Sequence, residues 1–476
     1  MVRRNRGTPI WSGNSNNYTQ DTFDLRVVGG SIEFDWIVDP SVNFSGNDIE
    51  AIHAAPLDED TFVLAWCDDT ENDITFAVYD TDGTLVTGPI DADAVISGCE
   101  SYDNEVSVSA FNSTAFVIGW FDRQDQDATF RTYDTDGNAI SSETDADTDV
   151  YLYSGVSVSA FNSTAFVMVW QDGSETDAIA NISYGIYDIN ANTIKSQTNV
   201  AEGQGKSGSA VSVSTFNETA FVVGWYDYVN TDATFRTYNI GGDVISNEID
   251  ADTSVGLSYS VRVSTFNSTA FVVGWYDEVD KDATFRTYTV NGTPISNVVD
   301  ADNDIDYTYS VSVSAINSSA FVIGWADRTD NDYTFAVYDI NGNVLTSATD
   351  VDTEVTISDF HYAQEVTSYQ TATDIGFCSD NFIMAWAPTA TSANWSAYQW
   401  DGTYWDGVCP DTTPPLVTIN LPANTTYATS SIDFNITLDE DGYCEYSLDS
   451  GVNNVTMTNN GNRDFNHTNS SIADNS

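Results

Sequence analysis

Ala270-Phe271-Val272-Val273-Gly274-Trp275-Tyr276-Asp277, followed by Asp282, is the stretch whose reading decides the fold. The same unit, an aromatic, two apolar residues, a small residue, Trp and an Asp two further on, occurs at Trp66, Trp120, Trp170, Trp225, Trp275 and Trp325. A weaker copy without the Asp sits at Trp386. Successive tryptophans are 54, 50, 55, 50, 50 and 61 residues apart. A period near fifty signals a propeller, a solenoid or an array.

The inside of one repeat chooses among these. In residues 105–150, Glu105–Phe111 alternates with period two, Asn112-Ser113-Thr114 is a turn, and Ala115–Trp120 is a second strand. A polar loop follows at Asp122–Asp127, then a third strand at Ala128–Tyr133, a glycine-bearing turn at Asp134–Asn138 and a fourth strand at Ala139–Glu143. Four short antiparallel strands repeated seven times make an all-β, seven-bladed β-propeller over residues 47–410. Both faces of the second strand are apolar or small, as packing between two neighbouring blades requires. Gly119, Gly224, Gly274 and Gly324 precede their tryptophans, and a missing side chain there admits a neighbouring strand. Blade three departs most, with Val169 at that position and an insert at Glu202–Ser207.

Residues 1–46 precede the repeats, and within them 31–38 reads as a strand without a partner. Either this strand or 403–408 supplies the fourth strand of blade seven, and the unpartnered N-terminal one is the better candidate. The period stops at Cys409-Pro410; 411–415 is a proline-stiffened linker, and 416–476 carries strands of a second, incomplete β domain.

Seventy-two acidic residues stand against 14 basic ones, a formal net charge of −58. Phosphate binding needs a basic patch, so nucleic acid is excluded as a partner, and anionic lipid is disfavoured. Disorder is rejected too, because 41% of the chain is hydrophobic and 13% aromatic. The excess of Asp over Glu and the scarcity of Lys fit a halophilic protein, where salt screens the repulsion. No transmembrane helix is expected. The N-terminus carries positive charge without an apolar run and is not a complete secretory signal, so the chain reads as a piece of a longer exported protein.

Two sets of acids repeat. Asp68/Asp73, Asp122/Asp127, Asp172/Asp177, Asp227/Asp232, Asp277/Asp282 and Asp327/Asp332 bracket the loop between strands two and three. Asp91/Asp93, Asp145/Asp147, Asp250/Asp252, Asp300/Asp302 and Asp350/Asp352 end strand four, which strand parity places on the same face of the ring. Turn chemistry explains such acids without a ligand. The alternative is that they hold calcium or sodium, hard cations that take oxygen ligands. The opposite face carries Asn112, Asn162, Asn217, Asn267 and Asn317, each opening a sequon at the same turn. These are candidate glycosylation sites among fifteen sequons in all. Arg131, Arg236 and Arg286 recur mid-strand and are expected to pair with loop aspartates. Cys67 and Cys99, expected in loops on the same face one blade apart, and Cys378 and Cys409 in blade seven are candidate disulfides, which suits an oxidising compartment. His53, His361 and His467 read as packing or surface residues, and no catalytic motif is present.

The unit Val-Ser-Val-Ser-x-Phe-Asn-x-Thr-Ala-Phe-Val-Val-Gly-Trp resembles the propeller repeats of large secreted bacterial and archaeal surface proteins. The tail Asp411–Ile419 with Cys444–Asp449 resembles immunoglobulin-like modules of archaeal cell-surface proteins, although the second Cys of those modules is missing. The resemblance implies export and surface display, and no catalytic residue. The expectation is a non-enzymatic cell-surface protein that mediates adhesion to, or binding of, cells, glycans or envelope partners. A propeller glycoside hydrolase or lyase and a structural envelope component are the alternatives.

Overall fold

Strand two of the fifth repeat, Ala270–Asp277, is buried along its whole length. A strand buried on both faces needs a sheet partner on each edge and a packed layer on each side, and the repeat supplies all four. The structure, a computed structural model, describes residues 36–38, residues 49–352 apart from short loop stretches, strands within 364–399, and short segments between 417 and 469. All regular structure among the described residues is strand, and no helix is long and apolar enough to cross a membrane.

Six four-stranded antiparallel sheets span 49–93, 106–147, 156–206, 211–252, 261–303 and 311–352, each with its strands in chain order. We number them as blades one to six. A seventh, partly described sheet contains Gln364–Ser368, Asn381–Thr389, which includes Trp386, and Ser392–Gln399. Its remaining strand is Trp36–Val38, which pairs antiparallel with Ser392–Gln399. Residues 403–408 lie outside the described residues. The first strand of each blade lies against the first strand of the next, and Ile49–Pro56 touches both Val106–Asn112 and Gln364–Ser368, which closes the circuit. Repeated four-stranded sheets in this order are the architecture of a β-propeller.

The seams between blades explain the repeat residue by residue. A Cβ on Gly274 would lie 2.5 Å from Val313 Cγ1 in the next blade, and one on Gly119 or Gly224 would lie 2.7 Å from Val158 or Val263. Only glycine lets the next inner strand come this close. Phe271 takes Phe235 of the preceding blade edge-on, with ring centroids 5.0 Å apart, and Phe130–Phe166 and Phe285–Phe321 repeat the pair at 5.0 and 4.9 Å. Each such pair contributes about 0.5–1.5 kcal/mol beyond its area. Thr132, Thr237 and Thr287 donate across the seam to the carbonyls of Ile189, Val290 and Ile340 at 2.7–2.8 Å.

Inner strands are edge strands, with backbone N–H groups that need acceptors. Serines of the preceding blade provide them. Ser107 Oγ accepts from Val158 N–H, Ser157 from Val213 and Ser212 from Val263, each at 3.1 Å. The next serine along does the same, Ser109 for Ala160 and Ser214 for Thr265. The serines of the Val-Ser-Val-Ser pattern thus supply the acceptors that the inner edge needs.

Three local expectations change. The expected strand at 139–143 is a single bridge, Tyr133 to Ala139, and the paired strand is Thr144–Asp147. The reason is Ser141, whose Oγ accepts the Thr132 N–H and interrupts the ladder. The arginines do not seek loop aspartates. Arg131 and Arg286 donate to the carbonyls of Ser141 and Ser296 and lie over the rings of Tyr133 and Tyr288, while Arg236 bonds the Val200 carbonyl and Glu248. Cys67 lies in strand Thr61–Asp68, fully buried, rather than in a loop.

The chain divides into a unit holding the seven sheets and a second unit. In the second, Val417–Leu421, Ile432–Leu438, Asp464–Asn469 and Thr458–Asn459 form one sheet in that order, and Glu445–Tyr446 pairs with Val455–Thr456. Phe434, Ile436 and Met457 are its buried apolar residues among those described.

Candidate functional site

The loop acids come together as strand-end partners. Asp68 faces Asp73, Asp122 faces Asp127, Asp227 faces Asp232, Asp277 faces Asp282 and Asp327 faces Asp332. In blade three Asn181 stands opposite Asp172, and Asp177 lies outside the described residues. The first acid of each pair folds the loop. Asp122 Oδ1 accepts the N–H of Gln124 at 2.8 Å, Asp227 that of Val229 at 2.9 Å, Asp277 that of Val279 at 2.9 Å and Asp327 that of Thr329 at 2.8 Å. This is turn chemistry.

The strand-four acids join them at fixed register. Asp91, Asp145, Asp250, Asp300 and Asp350 stand opposite Thr75, Thr129, Thr234, Thr284 and Thr334. Thr129 and Thr234 donate to Asp145 and Asp250 at 3.2 and 3.1 Å. Asp93, Asp147, Asp252, Asp302 and Asp352 sit two residues on, at the sheet edge. Two of these bind the tryptophan anchor of the next blade: Trp120 Nε1 donates to Asp93 at 3.2 Å and Trp170 Nε1 to Asp147 at 3.0 Å. In the divergent blade three, Gln204 from the insert receives Trp225 Nε1 instead, at 3.2 Å.

So many carboxylates in part-buried positions resist ionisation. Burial pushes Asp73 up to about 6; the Thr75 hydroxyl opposes this, and Asp91, Asp68 and Glu71 add repulsion. Burial likewise takes Asp127 to about 6, with repulsion from Asp145 and then Asp122 adding to it. Asp122, Asp232, Asp252 and Asp277 are raised for the same leading reason. In blade one, Glu71, Asp73 and Asp91 each bring a carboxylate oxygen within 4.8 Å of the others, a spacing at which one cation could touch all three.

At the opposite end of strand two, roughly 25 Å away for eight residues, the asparagines shape their own turns. Asn112 Oδ1 accepts both the N–H and the hydroxyl of Thr114 at 2.8 Å, and Asn162, Asn217, Asn267 and Asn317 repeat this with Thr164, Thr219, Thr269 and Ser319. Cys67 is disulfide-bonded. Cys99, Cys378 and Cys409 lie outside the described residues.

The axis holds what the sequence reading missed. Inner-strand residues line a cavity of about 150 Å³. At one register, the position opposite the residue before each tryptophan, stand His53, Ser107, Ser157, Ser212, Arg262 and Ser312. Glu365 occupies the same register in blade seven. Four blades carry serine there and three carry an ionisable residue. In blades one to six this residue lies 13 positions before the Trp, so aligning those six first strands by that distance exposes it from sequence alone; in blade seven the distance is 21.

No family model matches the chain, and no curated protein does. Among solved structures it is similar to the BP39L lectin from Burkholderia pseudomallei, at 10% identity and a TM-score of 0.51, over 74% of this chain and 98% of the lectin. It is also similar to a PL25 ulvan lyase, at 10% identity and a TM-score of 0.44, over 79% of this chain and 96% of the lyase. A prolyl endopeptidase matches at 11% identity and a TM-score of 0.42, over 82% of this chain; the chain spans about half of that enzyme's length, 53%. The likeness to the lectin, at this low identity, is a likeness of fold alone, a β-propeller.

Proposed function

We propose that this protein is an extracellular binding propeller that uses its acidic face to hold partners at a cell surface, glycans or envelope components among them. The observation that carries this reading is the repetition of one acidic loop, at one register, around one face of the ring. Identical weak sites side by side reach useful avidity together. Calcium or sodium held between the loop and strand-four acids would bridge this face to hydroxyl-rich or acidic partners that it otherwise repels. The Cys67 disulfide supports an oxidising compartment, and the exposed Asn-Ser/Thr turns support a glycan-covered opposite face. The second unit, read as an immunoglobulin-like module, would space the propeller from its anchor.

The test is a glycan-array and whole-cell binding screen of the full chain, with and without calcium. Saturable binding that weakens when Asp73 and Asp127 are replaced by Asn supports the proposal; no binding under either condition sinks it. One observation favours a second reading, a propeller glycoside hydrolase or lyase: His53 and Arg262 break the serine ring at the axis. Cleavage of a polysaccharide panel, lost in His53→Ser, would establish that reading instead.

A further inference from the structure

We propose that the axial cavity is a binding site for a small carboxylate or other oxyanion, separate from the acidic face. The wall presents hydrogen-bond donors. Ser107, Ser157 and Ser212 each use an oxygen lone pair on the next blade's N–H, and a hydroxyl that accepts in this way still has its own proton to give. His53 takes the serine's place in blade one: its Nδ1 accepts the Val108 N–H at 3.3 Å, so the neutral ring carries its hydrogen on Nε2. Arg262 adds a guanidinium that is only 9% exposed.

Arg262 is the informative residue. In blades one to four this position accepts an N–H of the next inner strand, and a guanidinium has no acceptor. Blade five keeps serine acceptors on either side of it: Ser260 Oγ accepts Val311 N–H at 3.2 Å and Ser264 Oγ accepts Ala315 N–H at 2.9 Å. The fold has given up a repeat residue to put one of only 14 basic residues at its axis. A planar fork of donors facing hydroxyls suits a carboxylate or a tetrahedral oxyanion.

The fold itself supplies the control, because serine is the repeat's own residue at this position. Arg262→Ser and His53→Ser restore the pattern of four other blades and should fold. With the full chain at fixed ionic strength, sodium acetate and sodium sulfate are titrated against sodium chloride, following the ring-proton resonance of His53 and the melting temperature. The His53 resonance is assigned by its disappearance in His53→Ser. The expected result is a saturable shift with acetate or sulfate but not with chloride, weakened roughly tenfold in Arg262→Ser as a charge-assisted contact is lost. No saturable shift, an equal response to chloride, or an unchanged response in Arg262→Ser would each overturn the proposal. The acidic face is untouched by both variants, so failure here leaves the adhesion reading standing, and failure of that screen leaves this site standing.

Discussion

Ser157 Oγ accepts the backbone N–H of Val213 in the next blade at 3.1 Å, and the same bond recurs between Ser107 and Val158 and between Ser212 and Val263. Sheets in a propeller share no ladder with their neighbours, so side chains must satisfy the inner edge. Removing one such oxygen leaves a buried N–H without a partner. Ser157→Ala is expected to destabilise the propeller by about 1–3 kcal/mol in denaturant unfolding. An unchanged unfolding midpoint would show that water replaces the serine.

Gly274 faces Val313 across a seam where a Cβ would sit 2.5 Å from the valine Cγ1. Gly274→Ala is expected to cost about 1–3 kcal/mol through overpacking. The double variant with Val313→Ala should recover part of that loss, a positive coupling in a double-mutant cycle. Strict additivity would place the strain elsewhere.

Asp73 and Asp127 are held near 6, above the ordinary carboxylate value, because folding buries them among other acids. Between roughly pH 4 and 6 the folded state therefore binds more protons than the unfolded one, and stability falls as pH rises through that window. Melting temperature at low salt is expected to increase on acidification from pH 7 to about 5. Asp188 and Asp339 act oppositely at lower pH. Burial disfavours their charge, but turn bonds from Asn192 and Asn343 outweigh it and hold them below the usual range, so their contribution is lost on further acidification. In Asp73→Asn/Asp127→Asn the rise should shrink; a melting temperature that only falls from pH 7 downward contradicts this account.

Trp120 is fully buried and its Nε1 donates to Asp93 of the previous blade. Asp93→Asn keeps an acceptor and is expected to be nearly neutral. Asp93→Ala strands the indole N–H and should cost about 1–3 kcal/mol, with a change in tryptophan emission. Equal effects of the two would assign the loss to charge rather than to the bond.

Calcium should raise the melting temperature at low ionic strength, and a chelator should reverse the gain. The calcium-dependent part is expected to vanish in Asp73→Asn if Glu71, Asp73 and Asp91 hold an ion together. A chelator without effect on the calcium-treated protein argues that these acids serve their turns alone.

Much of the fold was legible because its signals are local and repeated. Trp275 with Gly274 and Phe271 marks a buried strand by residue type, and copies of it reveal the period. The position of strand four was misread because Ser141 replaces a ladder bond with a side-chain bond, which propensity does not register. The role of Ser107 and Ser157 depends on a neighbour about fifty residues away, so alternation revealed the strand but not its acceptor. His53 is uninformative by itself, because its meaning lies in the serines that fill its place in other blades. Charge alone pairs Arg131 with an aspartate, but its contacts are the Tyr133 face and the Ser141 carbonyl.

Ser107, Ser157 and Ser212 take their hydrogen from the blade that follows. The ring is thus a head-to-tail polymer of unlike edges, bent until its ends meet, and it has a sense of rotation. Cut between any two blades, it would expose one edge rich in unmet donors and another rich in unmet acceptors. Such complementary ends associate with other copies in open chains when they do not close on themselves. Ile49–Pro56, lying against both Val106–Asn112 and Gln364–Ser368, is the strand that joins those ends.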